Sequence, residues 1–174
     1  MTATAITVAY GSRFGSTAKL AEEIAAGLRD VGAIPRLIDV AEKGPLASQP
    51  MIVLSAIIWD RPVPVMREWI TANRHLVRQW TVGCGVVCGS AGVRETGGLA
   101  YARQLARRIG RPDVFQFALS GEIPSRSRLR SWEWWALQAF AAMRRKPQLF
   151  RICVDGAKAN EVGRKIGRTH LLLS

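Results

Sequence analysis

Short apolar runs alternate along the chain with longer segments in which apolar residues recur every three or four positions. Five runs of six to nine residues are largely apolar, a pattern typical of parallel strands buried on both faces. The predicted strands are residues 5–10, 34–40, 51–58, 81–89 and 114–119. The intervening segments predict amphipathic helices, one of which carries Leu20, Ile24 and Leu28 at a spacing of four.

The alternation of strand and helix predicts an α/β protein with a doubly wound parallel sheet between two layers of helices. Five strands fit the order 2-1-3-4-5. Further helices are predicted with Val65, Trp69, Ile70 and Leu76 on one helix, over residues 99–109, and over about 155–167. A length of 174 residues with 48% hydrophobic and 22% charged residues predicts a single folded domain, residues 1–174. Only residues 121–149 depart from the rhythm, and we interpret them as a helical insert after the fifth strand.

A loop rich in glycine and hydroxyl residues separates the first predicted strand from the first helix. Unpaired N–H groups at a helix N-terminus favour an anion, and glycines let the backbone approach it. The spacing matches neither G-x-x-x-x-G-K-[ST] nor G-x-G-x-x-G, which favours a monophosphate over a triphosphate or a dinucleotide. An ordinary turn that caps the helix is the alternative. The candidate residues are Ser12, Arg13, Phe14, Gly15, Ser16 and Thr17.

This loop resembles the phosphate loop of the flavodoxin superfamily, a hydroxyl-rich run that grips the phosphate of FMN. Phe14 replaces the middle hydroxyl residue of that run. The resemblance implies two further loops around the flavin ring, where aromatic and backbone groups meet its face and edge. The loop after the third strand offers Ile57, Ile58, Trp59 and Asp60, with Trp59 as the stacking candidate, and the loop after the fourth offers Ser90, Ala91 and Gly92.

The predicted insert contains three of the six tryptophans of the chain, with basic residues on both sides of them. Such a helix suits a membrane interface, where tryptophan lies at headgroup level and arginine meets anionic phosphates. A helix packed in the core with solvated basic ends is the alternative. The candidates for contact with substrate or membrane are Arg126, Arg128, Arg130, Trp132 and Trp135.

Several segments together resemble the quinone-linked (menaquinone-dependent) protoporphyrinogen IX dehydrogenase family, small FMN proteins with an inserted helical loop. These are the loop 12–17, Ile57-Ile58-Trp59 with Pro64, Glu68 and Trp69, then Tyr101-Ala102-Arg103, the insert around 128–135, and the helix that begins at Asp155. The resemblance implies that FMN takes hydride from a porphyrinogen in haem biosynthesis and passes electrons to a membrane quinone. The arginines of the insert would then meet porphyrin carboxylates or lipid phosphates.

Other side chains suggest no additional chemistry. Cys84 and Cys88 would lie about 13 Å apart on one strand face, which predicts buried, inert thiols and no disulfide. His75 and His170 lack acidic or cysteine partners at ligand spacing, so we predict no metal site. No Ser/His/Asp set or carboxylate pair suggests a catalytic side chain.

The charge balance leaves two alternatives open. With 25 Lys+Arg against 13 Asp+Glu the net charge is +12, yet no nucleic-acid motif accompanies it. A flavodoxin that carries electrons to acidic partners is one alternative. A flavin-free module that binds membrane or an acidic partner is the other, and Phe14 favours it. We expect a cytoplasmic protein, with peripheral contact to the inner face of the membrane as part of the membrane hypothesis, and the oligomeric state stays open.

Overall fold

A parallel β-sheet forms the middle layer of the protein in the computed structural model, which describes residues 4–42, 44–89, 97–122, 127, 129–143 and 154–171. Its long strands lie in the order β2-β1-β3-β5-β6, and every neighbouring pair is parallel. This confirms the predicted order, since β5 and β6 are the fourth and fifth predicted strands. A two-residue strand, β4, pairs antiparallel with β3 and was not predicted. The strands are β1 Ala5–Gly11, β2 Ile34–Asp39, β3 Met51–Ile58, β4 Arg61–Pro62, β5 Thr81–Cys88 and β6 Phe115–Ser120.

Six α-helices connect and cover these strands in the described part of the chain. They are α1 Ser16–Arg29, α2 Pro64–Ala72, α3 Arg74–Trp80, α4 Gly98–Ile109, α5 Ser131–Met143 and α6 Gly156–Leu171, with a 3-10 turn at Val40–Glu42. One predicted helix after β3 proves to be two. Asn73 ends α2 by donating both its backbone N–H and its side-chain amide to the Trp69 carbonyl, at 3.0 and 2.9 Å, so the side chain competes with the helical ladder.

The last helix begins one residue later and ends four residues further on than predicted. Asp155 lies before the helix and caps it, because its carboxylate accepts the Lys158 N–H at 3.0 Å. Gly167 does not end the helix, which continues to Leu171. A Cβ at Gly167 would lie 2.5 Å from the Val31 side chain. The glycine instead lets α6 approach its neighbour closely.

The core consists of two clusters, one on each face of the sheet. Ile6, Val8 and Leu20 belong to the cluster under α1 and α6, and Ala9 and Cys84 to the cluster under α2 and α4. Cys88 lies in the same cluster as Cys84, as their spacing predicts, and both thiols are buried and form no disulfide. Burial raises the pKa of Cys84 to about 12, so its thiol is inert at neutral pH. Cys153 lies outside the described residues.

Helices α1 and α6 touch through their backbones. A Cβ built on Gly27 of α1 would lie 2.0 Å from the Asn160 carbonyl oxygen, and one on Gly163 of α6 would lie 2.2 Å from that of Ile24. Neither position tolerates a side chain without moving a helix. This contact fixes α1, and with it the loop that precedes α1, against the far end of the chain.

Among the described residues, no helix combines the length and the apolar character needed to cross a bilayer.

Candidate functional site

The segments that follow β1, β3 and β6 leave the sheet at its carboxyl edge. The strand order reverses between β1 and β3, and in open α/β sheets ligands bind in the crevice at such a switch point. The site therefore has to be built from the loop before α1, the turn between β3 and β4, and the start of α5.

The loop before α1 is folded as an anion cradle. Gly15 precedes α1 in the left-handed region, at φ 93°, a conformation that favours glycine. Its N–H donates to Ser12 Oγ at 3.0 Å, and its carbonyl accepts the Lys19 N–H at 3.1 Å, which begins the helix. Ser12 therefore shapes the loop and retains a hydroxyl proton to donate. A Cβ on Gly15 would meet nothing within 4 Å, so space lies open above the turn.

Thr17, in the first turn of α1, is the group that points most directly to a ligand. Its Oγ1 is buried and has no hydrogen-bond partner in the structure. A buried hydroxyl without a partner costs about 1–3 kcal/mol, so such groups are rare unless another molecule satisfies them. Thr17, the Gly15 turn and the N-terminus of α1 together fit a phosphate.

Arg13 brings positive charge to the loop and is held from two sides. Its guanidinium lies 4.8 Å from the centre of the Phe14 ring, and its Nη2 donates to Glu133 Oε1 at 2.7 Å. The Arg13 side chain is 39% exposed, whereas that of Glu133 is only 4% exposed. Phe14 thus supports the cation of the loop in place of donating a hydroxyl.

Glu133 was missed by the sequence reasoning and lies at the centre of this site. Its second oxygen, Oε2, accepts the Arg130 N–H at 2.9 Å, and the Arg130 carbonyl accepts the Trp134 N–H at 3.1 Å, so Glu133 caps α5. The Arg130 N–H bond, with the Arg13 guanidinium, lowers the pKa of Glu133 against the opposing effect of burial. A usable signal existed, since Glu133 is the only acidic residue between Glu122 and Asp155.

The turn between β3 and β4 carries the predicted ring-binding residues. Ile57 and Ile58 end β3, half-buried, and Ile58 pairs with Arg61 across the turn. Trp59 and Asp60 between them have φ 52° and 60°, which makes a hairpin turn normally occupied by Asn and Gly. The Asp60 carboxylate accepts a hydrogen bond from the Tyr101 hydroxyl of α4, which holds this unfavourable backbone in place.

The two tryptophans nearest the loop stack on each other. The ring centres of Trp59 and Trp132 are 5.9 Å apart, with 16° between the ring planes. Trp59 is 49% exposed, Trp132 57% and Trp135 69%, so this side of α5 does not pack in the core. The helical insert is confirmed at Ser131–Met143, and its N-terminal turn lies over the loop before α1. Between them is a cavity of about 440 Å³ lined by Arg13, Phe14, Arg130 and Glu133.

Among known proteins, only solved structures match this chain. No family model matches the chain, and no curated protein does. Rubredoxin oxygen:oxidoreductase from Desulfovibrio gigas is similar over 95% of this chain, with a TM-score of 0.58 and 15% identity. Flavodoxin 1 from Bacillus cereus is similar over 95% of this chain and 98% of its own, with a TM-score of 0.55 and 13% identity. The fold is flavodoxin-like.

The extent of the flavodoxin-like similarity differs between these structures. The chain covers 35% of the D. gigas protein, about a third of its length. It covers 98% of NAD(P)H:quinone oxidoreductase from Methanothermobacter marburgensis, with a TM-score of 0.54 and 14% identity. At identities this low, the structural similarity establishes the flavodoxin-like fold alone, and the function of the site depends on its own residues.

The structure brings only some of the predicted site residues together. The loop 12–17, the turn at Trp59 and Asp60, and Arg130 with Trp132 meet at one edge of the flavodoxin-like sheet. Trp135 lies on the same helix. Ser90, Ala91, Gly92, Arg126 and Arg128 lie outside the described residues. Within the described part of the chain, no group of three His, Cys, Asp or Glu side chains could hold a metal ion.

Proposed function

We propose that this protein binds FMN and acts as an oxidoreductase. The observation that carries the proposal is the buried, unpartnered Thr17 hydroxyl at the N-terminus of α1, behind the left-handed Gly15 turn. This cradle lies at the switch point of a flavodoxin-like sheet, where FMN binds in that fold. Thr17, Ser12 and Ser16 would hold the phosphate with the backbone N–H groups, and Arg13 would balance its charge.

The ring of the cofactor would lie along the turn at Trp59 and Asp60. Ile57 and Ile58 would supply backbone groups and Trp59 an aromatic face, with Ser90, Ala91 and Gly92 in the second ring loop that the resemblance implies. Bound FMN would supply hydride and electron transfer. The chain itself would orient the ring.

The substrate and the acceptor follow from the resemblance to protoporphyrinogen dehydrogenases. In this proposal a porphyrinogen is the electron donor and a membrane quinone the acceptor. Among the described side chains of α5, Trp132 and Trp135 are large, apolar and exposed, and the first turn of that helix is flanked by Arg130. Such a surface suits contact with anionic headgroups at the inner face of the membrane. Arg126, Arg128 and Arg130 would pair with substrate carboxylates or lipid phosphates.

Cofactor binding is tested by absorbance. The purified protein, incubated with excess FMN and desalted, should show flavin bands between 300 and 600 nm. Because a hydrogen bond to a charged group contributes about 1.5–3 kcal/mol, Thr17→Val should weaken FMN binding by roughly 10- to 100-fold. Thr169→Val, on the exposed face of α6, is the matched control and should bind as the wild type does. A colourless protein in every preparation would refute the flavin proposal and favour a flavin-free module.

An electron carrier is the second candidate. Its support is the near-complete coverage of a stand-alone flavodoxin, 98% of the B. cereus protein. The two candidates differ in turnover. Porphyrinogen oxidation that continues with a quinone in stoichiometric excess over protein would favour the dehydrogenase. Single-turnover reduction followed by electron transfer only to an acidic redox protein would favour the carrier.

A further inference from the structure

We propose that α5 is a lid held shut by Glu133, whose carboxylate occupies Arg13 in place of the ligand phosphate, so that lid and phosphate compete for one cation. The proposal rests on the proposed FMN site and adds a control element to it. It assigns to Glu133 a function in regulating that site.

The contacts of Glu133 show how it can hold the start of α5 against the loop before α1. One carboxylate oxygen holds Arg13, 120 residues earlier in the chain, and the other holds the Arg130 N–H at the start of α5. The Glu133 side chain is 4% exposed, so salt screens this ion pair less than it screens an open surface pair. A single residue thereby joins the first turn of α5 to the loop that precedes α1.

Competition follows from charge. Arg13 is the only basic residue between Tyr10 and Lys19, so it is the one cation that the loop itself supplies, and Arg130 lines the same cavity from the start of α5. A phosphate bound at Gly15 and Thr17 would bring a second anion beside the Glu133 carboxylate, and like charges in a shielded site repel. Phosphate binding therefore favours release of the Glu133 carboxylate from Arg13. The Trp59–Trp132 stack would still join α5 to the turn between β3 and β4.

The Arg13–Glu133 ion pair also couples phosphate binding to any interaction that moves α5 away from the loop before α1. If an open lid binds phosphate more tightly, then phosphate must stabilise the open lid by the same factor. A membrane surface that engages Trp132 and Trp135 would thus raise the affinity for FMN.

The competition is tested with Glu133→Gln, which removes the charge and keeps an oxygen that can cap α5. Calorimetric titration should show FMN binding about tenfold more tightly to this variant than to the wild type, within the usual range of coupling between sites. Riboflavin, which lacks the phosphate, should bind both proteins equally. Glu161→Gln, an exposed residue of α6, is the control for net charge and should leave the FMN affinity unchanged.

The opening of the lid is measured separately, without a ligand. Spin labels at Lys19→Cys in α1 and Ala139→Cys in α5, both exposed positions, report the distance between the two helices in a Cys153→Ser background. The wild type should give a narrow distribution, and Glu133→Gln a broader one shifted to longer distances.

The outcomes separate the two proposals. Equal FMN affinities for wild type and Glu133→Gln, or an unchanged distance distribution in the variant, would overturn the proposal that Glu133 holds α5 closed in competition with phosphate. Failure of every variant to bind FMN would overturn the proposed function, and the ligand-free distances would then decide whether Glu133 holds α5.

Discussion

Replacement of Gly27 by alanine tests the backbone contact between α1 and α6. The added Cβ would lie 2.0 Å from the Asn160 carbonyl oxygen and 3.0 Å from the Arg164 nitrogen. Both atoms belong to the backbone of α6, so no rotamer change can relieve the overlap and the helices must separate. Overpacking that forces a backbone shift costs about 1–3 kcal/mol, and this contact belongs at the upper end.

The net effect is smaller because alanine is the better helix former. Glycine is about 1 kcal/mol less favourable than alanine inside a helix, so we expect a net loss of about 2 kcal/mol in the free energy of unfolding. At about 2–4 °C per kcal/mol for a chain of this size, the melting temperature should fall by about 4–8 °C.

A matched control lies on α6, the helix that faces Gly27. A Cβ on Gly156, at the first position of α6, would lie 3.4 Å from the flexible Glu23 side chain, an ordinary contact. Gly156→Ala should therefore change the stability by less than about 0.5 kcal/mol. Urea unfolding followed by circular dichroism measures both variants. If Gly27→Ala is as stable as Gly156→Ala, the backbone contact does not exist and the reasoning fails.

Three further predictions concern the site and the core. Asp60→Gly and Asp60→Asn both tolerate the positive φ, but only Asp60→Asn keeps an acceptor for the Tyr101 hydroxyl, so Asp60→Asn should have the higher free energy of unfolding in urea; the reverse order would show that this hydrogen bond does not hold the turn. The pKa of Glu133 is lowered, so its contribution to stability is present above the unfolded-state pKa and is lost as the pH falls through the folded-state pKa. The difference in free energy of unfolding between the wild type and Glu133→Gln should therefore shrink in acid, and a constant difference would contradict this. Cys84 should react with a thiol reagent at pH 8 only after unfolding, and labelling in the native state would disprove its burial.

The fold was predictable because it rests on a repeated pattern. The inner strands β1, β3 and β5 are buried on both faces over most of their length, so each is an apolar run, as in Met51–Ile58. The errors in the predicted elements occurred where one or two residues determine the local backbone conformation. Asn73 divides one predicted helix into two through its own hydrogen bond, and β4 exists because Trp59 and Asp60 adopt a turn that their residue types do not favour.

The site was predictable only in its local part. The loop 12–17 is contiguous, and its glycine and hydroxyl residues carry their meaning in sequence. The contacts of Arg13 with Glu133 and of Trp59 with Trp132 join residues 120 and 73 positions apart, and no periodicity reports such pairs. The buried state of the Thr17 hydroxyl likewise depends on packing around it.

The glycine contact between α1 and α6 also sets an order of events during synthesis. Residues 16–29 leave the ribosome early, yet the surface that α1 buries against α6 is made of residues near position 160. At about 5–20 residues per second, roughly 7–26 seconds separate the two, during which that face of α1 has no partner. The face of α1 that packs on α6 therefore stays uncovered until α6 is synthesised, and a nascent chain that stalls before α6 presents the apolar face of an amphipathic helix to chaperones.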